Sequence, residues 1–419
     1  MRPLFLLFAL PFALPLAVCA QPADDAHLAR AKRILRTTPL IDGHNDLPWA
    51  IRRDSAAPLA VDAYDLRRRT PGHTDLARLK AGMVGGQFWS VYIPGDVRDS
   101  GYARVQLEQI DIARRVIDKY PEAFRWALTA EELRRAHQAG RIGSLLGLEG
   151  GHAIENSLGA LRAYYALGAR YMTLTHNVTI DWADAATGLQ THGGLTEFGR
   201  EVVREMNRLG MLIDLSHVSP ATMSDALDVT EAPVIFSHSS ARAITDHPRN
   251  VPDSILQRLP RNGGVVMVTF VPAFVSSAVN DAAGRDDRER DRLRSEFGAD
   301  SAGARAALAA WRQRNPTPRA TLGDVADHID HIRKVAGVDH VGIGGDFDGI
   351  SETVEGLEDV STYPALFAEL SRRGWSEADL RKLAGENALR ALARAEAVAK
   401  RLQAARGPSI KTIGEIDGR

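Results

Sequence analysis

The sequence predicts an α/β fold, a closed (β/α)8 barrel of the TIM type, and three observations carry the prediction. Eight short apolar or glycine-rich runs recur along the chain, stretches with helical periodicity and good caps separate them, and ionisable residues gather at the C-terminal ends of the runs. Strands that are apolar throughout, alternating with amphipathic helices, are covered on both faces and so belong to a parallel sheet. The 419 residues exceed the roughly 250 of a typical barrel, so insertions are expected. An open doubly wound sheet is the alternative.

In order, the runs are "PLIDGHND", "GGQFWSVYIP", "IGSLLGLEGG", "ARYMTLTHN", "GMLIDLSHVS", "APVIFSHSS", "GGVVMVTFVP" and "HVGIGGDFDG". Helix starts between them carry side chains able to satisfy free backbone N–H groups: Thr129 with Glu132, Ser219 before Pro220, Thr321 with Asp324, and Ser376 with Asp379. Residues 279–318 are charged and helix-prone and follow the seventh strand. They read as a solvated helical insertion, with a lid or partner surface as the functional alternative. No internal repeat or second core is visible, so residues 21–405 are expected to form one catalytic domain, followed by a polar tail over 406–419.

Residues 1–20, "MRPLFLLFALPFALPLAVCA", join one arginine to an apolar run and end on small residues, the pattern of a cleaved export signal. A retained anchor or a lipid-modified Cys19 competes with this reading, but Pro11 and Pro15 interrupt the run and Val18 suits lipidation poorly. Cys19 is the only cysteine, so the processed chain can form neither a disulfide nor a thiolate metal site. The ending "GPSIKTIGEIDGR" is too polar for a lipid-anchor signal or a membrane span. A soluble, exported protein, periplasmic or secreted, is expected. A formal net charge of −1 argues against nucleic acid as a partner.

In a parallel barrel the C-terminal strand ends open onto one face, where reacting groups collect. His44 and Asp46 end the first run, Glu149 the third, His176 the fourth, His217 the fifth, His238 the sixth and Asp346 the eighth. Because alternate strand positions point the same way, His44 and Asp46 face one centre while Asn45 turns aside. Three or four imidazoles and three carboxylates without a thiol suit Zn²⁺, with Mn²⁺ or Co²⁺ as weaker candidates. One ion cannot use all of them; two ions sharing a bridging carboxylate can, and such a pair activates a water between them. Burying so many ionisable groups unpaired would cost too much. His328 and His331 mimic a metal pair but belong on the outer ring of helices, as surface residues. His152 is placed to orient Glu149. His247 and Arg249 fall on the loop after the sixth strand, where an arginine can hold an anionic substrate group.

With these residues assembled, the chain closely resembles the renal, or membrane, dipeptidase family of zinc peptidases within the amidohydrolase-like barrels. The matching stretches are "DGHNDLPW", "GLEGGHAIENSLGALRAYYALGARYMTLTHN", "GLTEFGREVVREMNRLGMLIDLSHVS", "FSHSSARAITDHPRNVPD" and "VADHIDHIRKVAGVDHVGIGGDFDG". The resemblance implies hydrolysis of dipeptides by a hydroxide bridging two zinc ions. It implies that His44 and Asp46 bind one zinc, His217 and His238 the other, and that Glu149 bridges. It further implies that His176 polarises the scissile carbonyl, Asp346 transfers the proton and Arg249 recognises the substrate carboxylate. With no cysteine after processing and no anchor tail, this chain departs from the animal members, so any homodimer is expected to be held without disulfides and no stable membrane attachment is expected. "GEN" at 385–387 stands where the resemblance leads one to expect a Gly-Gly-Asn or Gly-Asn pattern. A related metallohydrolase of another amide, lactone or ester, or a non-catalytic exported binding protein on the same fold, are the alternatives.

Overall fold

Among the described residues nine parallel strands form one sheet: β1 (Leu40–Asn45), β2 (Val84–Ser90), β3 (Phe124–Trp126), β4 (Ile142–Glu149), β5 (Ala169–Thr173), β6 (Leu212–Asp214), β7 (Val234–Phe236), β8 (Val265–Val268) and β9 (Val341–Ile343). The computed structural model describes residues 23–97 and 101–418; residues 1–20, read above as an export signal, lie outside them. Eight strands run in the order β2-β1-β9-β8-β7-β6-β5-β4, and pairing of β2 with β4, from Gly86↔Gly143 to Ser90↔Gly147, closes the barrel. These eight are the eight runs of the sequence. β3 is an addition, pairing only with the first residues of β4, Phe124↔Ile142 to Trp126↔Ser144, before β5 takes over at Leu146. Its three residues are too few and too mixed to stand out as a run.

Every residue of β1, β2 and β4 is buried, as a strand covered on both faces requires. Alternation then sorts the side chains into two clusters. Ile41, Phe88, Leu145, Tyr171, Leu212, Ile235, Val265 and Met267 pack together with Ala388, Leu389 and Leu392 of the helix Asn387–Ala405. Their strand neighbours Leu40, Trp89, Leu146, Met172, Ile213, Val234 and Val266 pack into the larger cluster beneath the ring of helices.

The expected caps are present. Thr129, Ser219, Thr321 and Ser376 accept from the backbone N–H groups of Glu132, Thr222, Asp324 and Asp379, and Thr321 with Asp324 forms a reciprocal box. The charged segment after β8 folds as two helices, Ser277–Phe297 and Ser301–Arg314. The chain's end, which reads as a polar tail, carries a short helix, Ile413–Asp417, against Glu197–Leu209, with Phe198 N donating to Asp417 Oδ1. Among the described residues no helix is long and apolar enough to cross a membrane.

His328 departs from the sequence expectation. It is fully buried: its Nδ1 accepts from Ala241 N at 2.9 Å and its Nε2 donates to Val275 O at 3.1 Å. Burial holds its pKa down to about 4, so it stays neutral. The loops after β7 and β8 fold over that helix and turn an outer-ring position into a core one. His331 keeps to the outside, paired with Asp253 at 2.8 Å.

The "GEN" stretch explains itself in the fold. Gly385 lies in a π-helical turn, Lys382–Glu386, against the start of β1, and Asn387 Nδ2 donates to Val338 O and Val341 O. A Cβ on Gly385 would sit 2.3 Å from Pro39 O. Gly385→Ala is therefore expected to destabilise the barrel by about 1–3 kcal/mol, because backbone on one side or the other must shift. Urea denaturation measures it, and an unchanged midpoint would show that the turn yields freely.

Candidate metal centre and active-site cavity

Six of the strands, β1, β4, β5, β6, β7 and β9, deliver these polar residues at or just past their C-terminal ends. His44 is the fifth residue of β1 and Asp46 follows that strand; Glu149 is the last residue of β4. His176, His217, His238 and Asp346 come two or three residues beyond β5, β6, β7 and β9. Two of these residues, His217 at φ 68° and Asp346 at φ 63°, have left-handed backbones that cost a non-glycine residue on the order of 1 kcal/mol or more. The turns are held by their surroundings. His217 O accepts from Ala186 N at 2.6 Å, and Asp346 N donates to His44 O at 3.1 Å.

The side chains converge on Glu149. Its Oε2 lies 3.3 Å from His44 Nε2 and accepts from Ser90 Oγ at 3.1 Å; its Oε1 lies 3.0, 3.5 and 3.7 Å from Nε2 of His217, His238 and His176. Asp46 Oδ2 is 3.2 Å from His44 Nε2 on the other flank. Asn45 turns away, as expected, and donates to Thr74 Oγ1.

Three histidines have their outer nitrogen occupied, which aims the inner one. His44 Nδ1 meets Tyr171 Oη at 2.8 Å, His217 Nδ1 meets Asn177 Oδ1 at 3.0 Å, and His238 Nδ1 meets Ser237 Oγ at 2.8 Å. The last contact is part of a relay. Buried Asp214 accepts from Ser237 Oγ at 2.6 Å and Ser237 N at 2.8 Å, so the hydroxyl proton is committed to Asp214 and its oxygen must accept from His238 Nδ1. His238 Nε2 therefore carries a lone pair, as does His217 Nε2 opposite an amide oxygen. These two nitrogens lie 2.8 Å apart. Two lone pairs at that separation, beside a carboxylate, call for a cation between them. His44 Nε2 and Asp46 Oδ1 are likewise buried without a hydrogen-bond partner. The donor set thus fits a metal of the Zn²⁺ kind.

Groupings of donor atoms within 4.8 Å of one another are His44–Glu149–His238, Glu149–His176–His217 and His44–Asp46–Asp346. Distance alone does not separate ligands from helpers, since His176 and Asp346 fall within reach of the same centre. Electrostatics separates the carboxylates. Burial pushes Asp346 well above the usual carboxylate range, aided by Asp46 and Glu149. Glu149, although buried, is pulled well below that range by His44, His217 and His176. Burial, with the charge of Arg249, holds His217 and His238 well below their usual pKa and keeps them neutral.

A cavity of about 700 Å³ opens over this centre. Arg249, 3% exposed, lines it, and among the described residues its guanidinium donates only at 3.4 Å to Ser239 Oγ and 3.5 Å to His238 O. Burial lowers its pKa to about 10, so it remains a cation with hydrogen-bonding capacity in reserve. His247 stacks on Phe274 at 4.2 Å, and the Arg249 guanidinium lies 5.3 Å from the same ring. Trp49, Tyr92 and His176 also line it, with the Tyr92 ring against those of Trp49 and His176.

His152 does not orient Glu149. Its Nε2 donates to Ile93 O at 3.0 Å and its ring packs against Tyr102, because the turn at Gly151–Ile154 carries it away from the centre. Ser90 holds Glu149 instead. Asp42, Tyr171, Asn177, Asp214 and Ser237 join the site without being expected from the sequence. A carboxylate inside an apolar strand, in "LIDGH" and "LIDLSH", was the available signal for Asp42 and Asp214. Buried Asp42 accepts from Tyr363 Oη at 2.6 Å, Gly345 N at 2.8 Å and His44 N at 3.2 Å, fixing β1 to the exit of β9.

A parallel barrel with a buried cluster of nitrogen and oxygen donors at its C-terminal face has the architecture of a metal-dependent enzyme. The chain belongs to the membrane dipeptidase family (peptidase family M19), whose model matches residues 28–406. It is a metallo-dipeptidase. Among solved structures it is similar to a metallo peptidase from Rhodobacter sphaeroides liganded with a phosphinate mimic of the dipeptide L-Ala-D-Ala, at 26% identity over 86% of this chain and 99% of that one, TM-score 0.70. It is also similar to the dipeptidase AC, a metallo peptidase, at 27% identity, 86% and 99% coverage, TM-score 0.69. The probable dipeptidase PvdM from Pseudomonas aeruginosa, 24% identical with coverage of 90% and 99%, shares the fold with a TM-score of 0.77.

Tyr171 is the sole hydrogen-bonding partner of His44 Nδ1 among the described residues. Tyr171→Phe is expected to weaken zinc binding about 10- to 100-fold, measured by competition with a chromogenic chelator. Unchanged affinity would mean that the packing of the ring alone aims His44.

Proposed function

We propose that the chain binds two zinc ions and hydrolyses dipeptides, with His44 and Asp46 on one ion, His217 and His238 on the other, and Glu149 between them. The observation that carries this reading is the division of Glu149, with Oε2 turned to His44 and Oε1 to His217 and His238. When bound, the ions supply an activated water and polarise the scissile carbonyl.

The chain's own groups divide the remaining work. Asp346 takes the proton of the attacking water and passes it to the leaving amine; its raised pKa, against the lowered one of Glu149, suits a proton carrier beside a permanent carboxylate. His176, held below its usual pKa chiefly by burial, is a neutral donor facing the carbonyl oxygen, where negative charge develops. Arg249 grips the C-terminal carboxylate of the dipeptide, which fixes the distance from that carboxylate to the scissile bond and so limits substrate length. Export through a cleaved segment at residues 1–20, to the periplasm or beyond, is part of the same proposal, supported by the pattern of that segment.

Elemental analysis of protein purified without chelator should approach two zinc equivalents per chain, and Glu149→Gln should weaken both sites together. Full activity at one equivalent would overturn the two-ion reading.

Amidated dipeptides keep the substrate's shape and remove its carboxylate charge. Wild type is expected to favour the free acid about 10- to 100-fold in kcat/KM, and Arg249→Ala should lose that preference, since a charge-assisted bond contributes about 1.5–3 kcal/mol. Equal rates on acid and amide in wild type would remove Arg249 from substrate recognition.

A further inference from the structure

A second cavity, about 550 Å³, lies beside the catalytic one and shares Val271, Gly349 and Ile350 with it. Gly349 is exposed and has no side chain, so the sill between the two is bare backbone. A Cβ there would sit 2.3 Å from Asp46 Oδ2 and 2.6 Å from Asp346 Oδ1. The second cavity therefore begins at the reacting centre, and the carboxylates themselves keep its sill low.

The helices Ser277–Phe297 and Ser301–Arg314 build its far wall. Asp286 on the first accepts from Arg312 on the second at 2.5 and 2.7 Å, and from Arg290 at 2.6 Å, which locks the pair. Val271 and Ile350 make the sill side apolar, and Val279 and Ala283 extend that character along the first helix, whereas Asn315, Thr317 and Ser351 are polar and exposed. Of the charged lining groups, Asp286 is taken up by Arg312 and, from outside the cavity, by Arg290, and Glu352 faces the charge of Arg312. The side of the dipeptide that faces this cavity follows from Arg249. Its guanidinium lies over Phe274, and Phe274 N donates to Val271 O at 2.9 Å, so the residue held by Arg249 has its neighbours on the turn that forms the sill.

We infer that the helix pair after β8 forms a pocket for the C-terminal side chain of the dipeptide, selecting a long side chain with an apolar stem and an uncharged polar end, such as glutamine. The inference rests on the dipeptidase reading above and on Arg249 as its carboxylate clamp. Ala283 is exposed on its helix, so Ala283→Trp fills the cavity without entering the core, and Thr317→Trp fills it from the other side.

The experiment compares kcat/KM for Ala-Gly, Ala-Gln, Ala-Glu and Ala-Lys in wild type and both variants. Wild type should favour Ala-Gln over Ala-Gly by about tenfold or more, and each variant should lose about tenfold on Ala-Gln while holding Ala-Gly within about twofold. Equal changes on both substrates, no change on Ala-Gln, or a wild-type preference for Ala-Lys or Ala-Glu over Ala-Gln would overturn the pocket. Turnover of Ala-Gly by wild type tests the dipeptidase reading separately, so the two failures are distinguishable.

Discussion

A carboxylate surrounded by four imidazole nitrogens at the buried floor of a cavity has to have its charge answered, and Glu149 is that carboxylate. Much of the barrel mouth serves this condition. Ser90 fixes one oxygen from β2, Tyr171 aims His44 from β5, and the Asp214–Ser237 relay aims His238 from between β6 and β7. A donor set this crowded is tolerable because His44, His217 and His238 each have the outer nitrogen occupied and turn the inner one to the centre. Buried polar groups that would count against an apolar core here form a connected network.

The parallel barrel is what makes such convergence cheap. Successive strands end at one face, so one or two polar residues per strand suffice to assemble a site from segments three hundred residues apart. Strain is placed where function needs it. His217 and Asp346 turn through left-handed backbone to bring their side chains inward, and the neighbouring backbone bonds to Ala186 and His44 hold those turns.

Opposite pKa shifts on two neighbouring carboxylates follow from what each one faces. Glu149 faces imidazoles, whereas Asp346 shares its surroundings with Asp46 and Glu149. The same crowding reaches outward to Gly349, whose missing side chain leaves room for the carboxylates and at the same time leaves the catalytic cavity open toward the inserted helices. Constraint at the centre and freedom at the rim thus meet at one residue.

By itself the sequence determined the closed barrel, its eight strands, the helix caps and the seven polar residues at the strand ends. Each of these depends on short-range pattern, such as apolar runs, cap spacing, or a histidine just past a strand, that survives without knowledge of long-range contacts. Only the tertiary structure decided which groups support them. His152 and Glu149 are three residues apart in sequence, yet a tight turn separates their side chains, whereas Ser90, Tyr171 and Asp214 reach the centre from other strands. His328 reads as a surface residue because helical spacing gives a face but cannot say that two loops fold over it. Hydrogen-bond partners distant in sequence leave no periodic trace, so the ligand candidates were legible in the chain and the network that aims them was not.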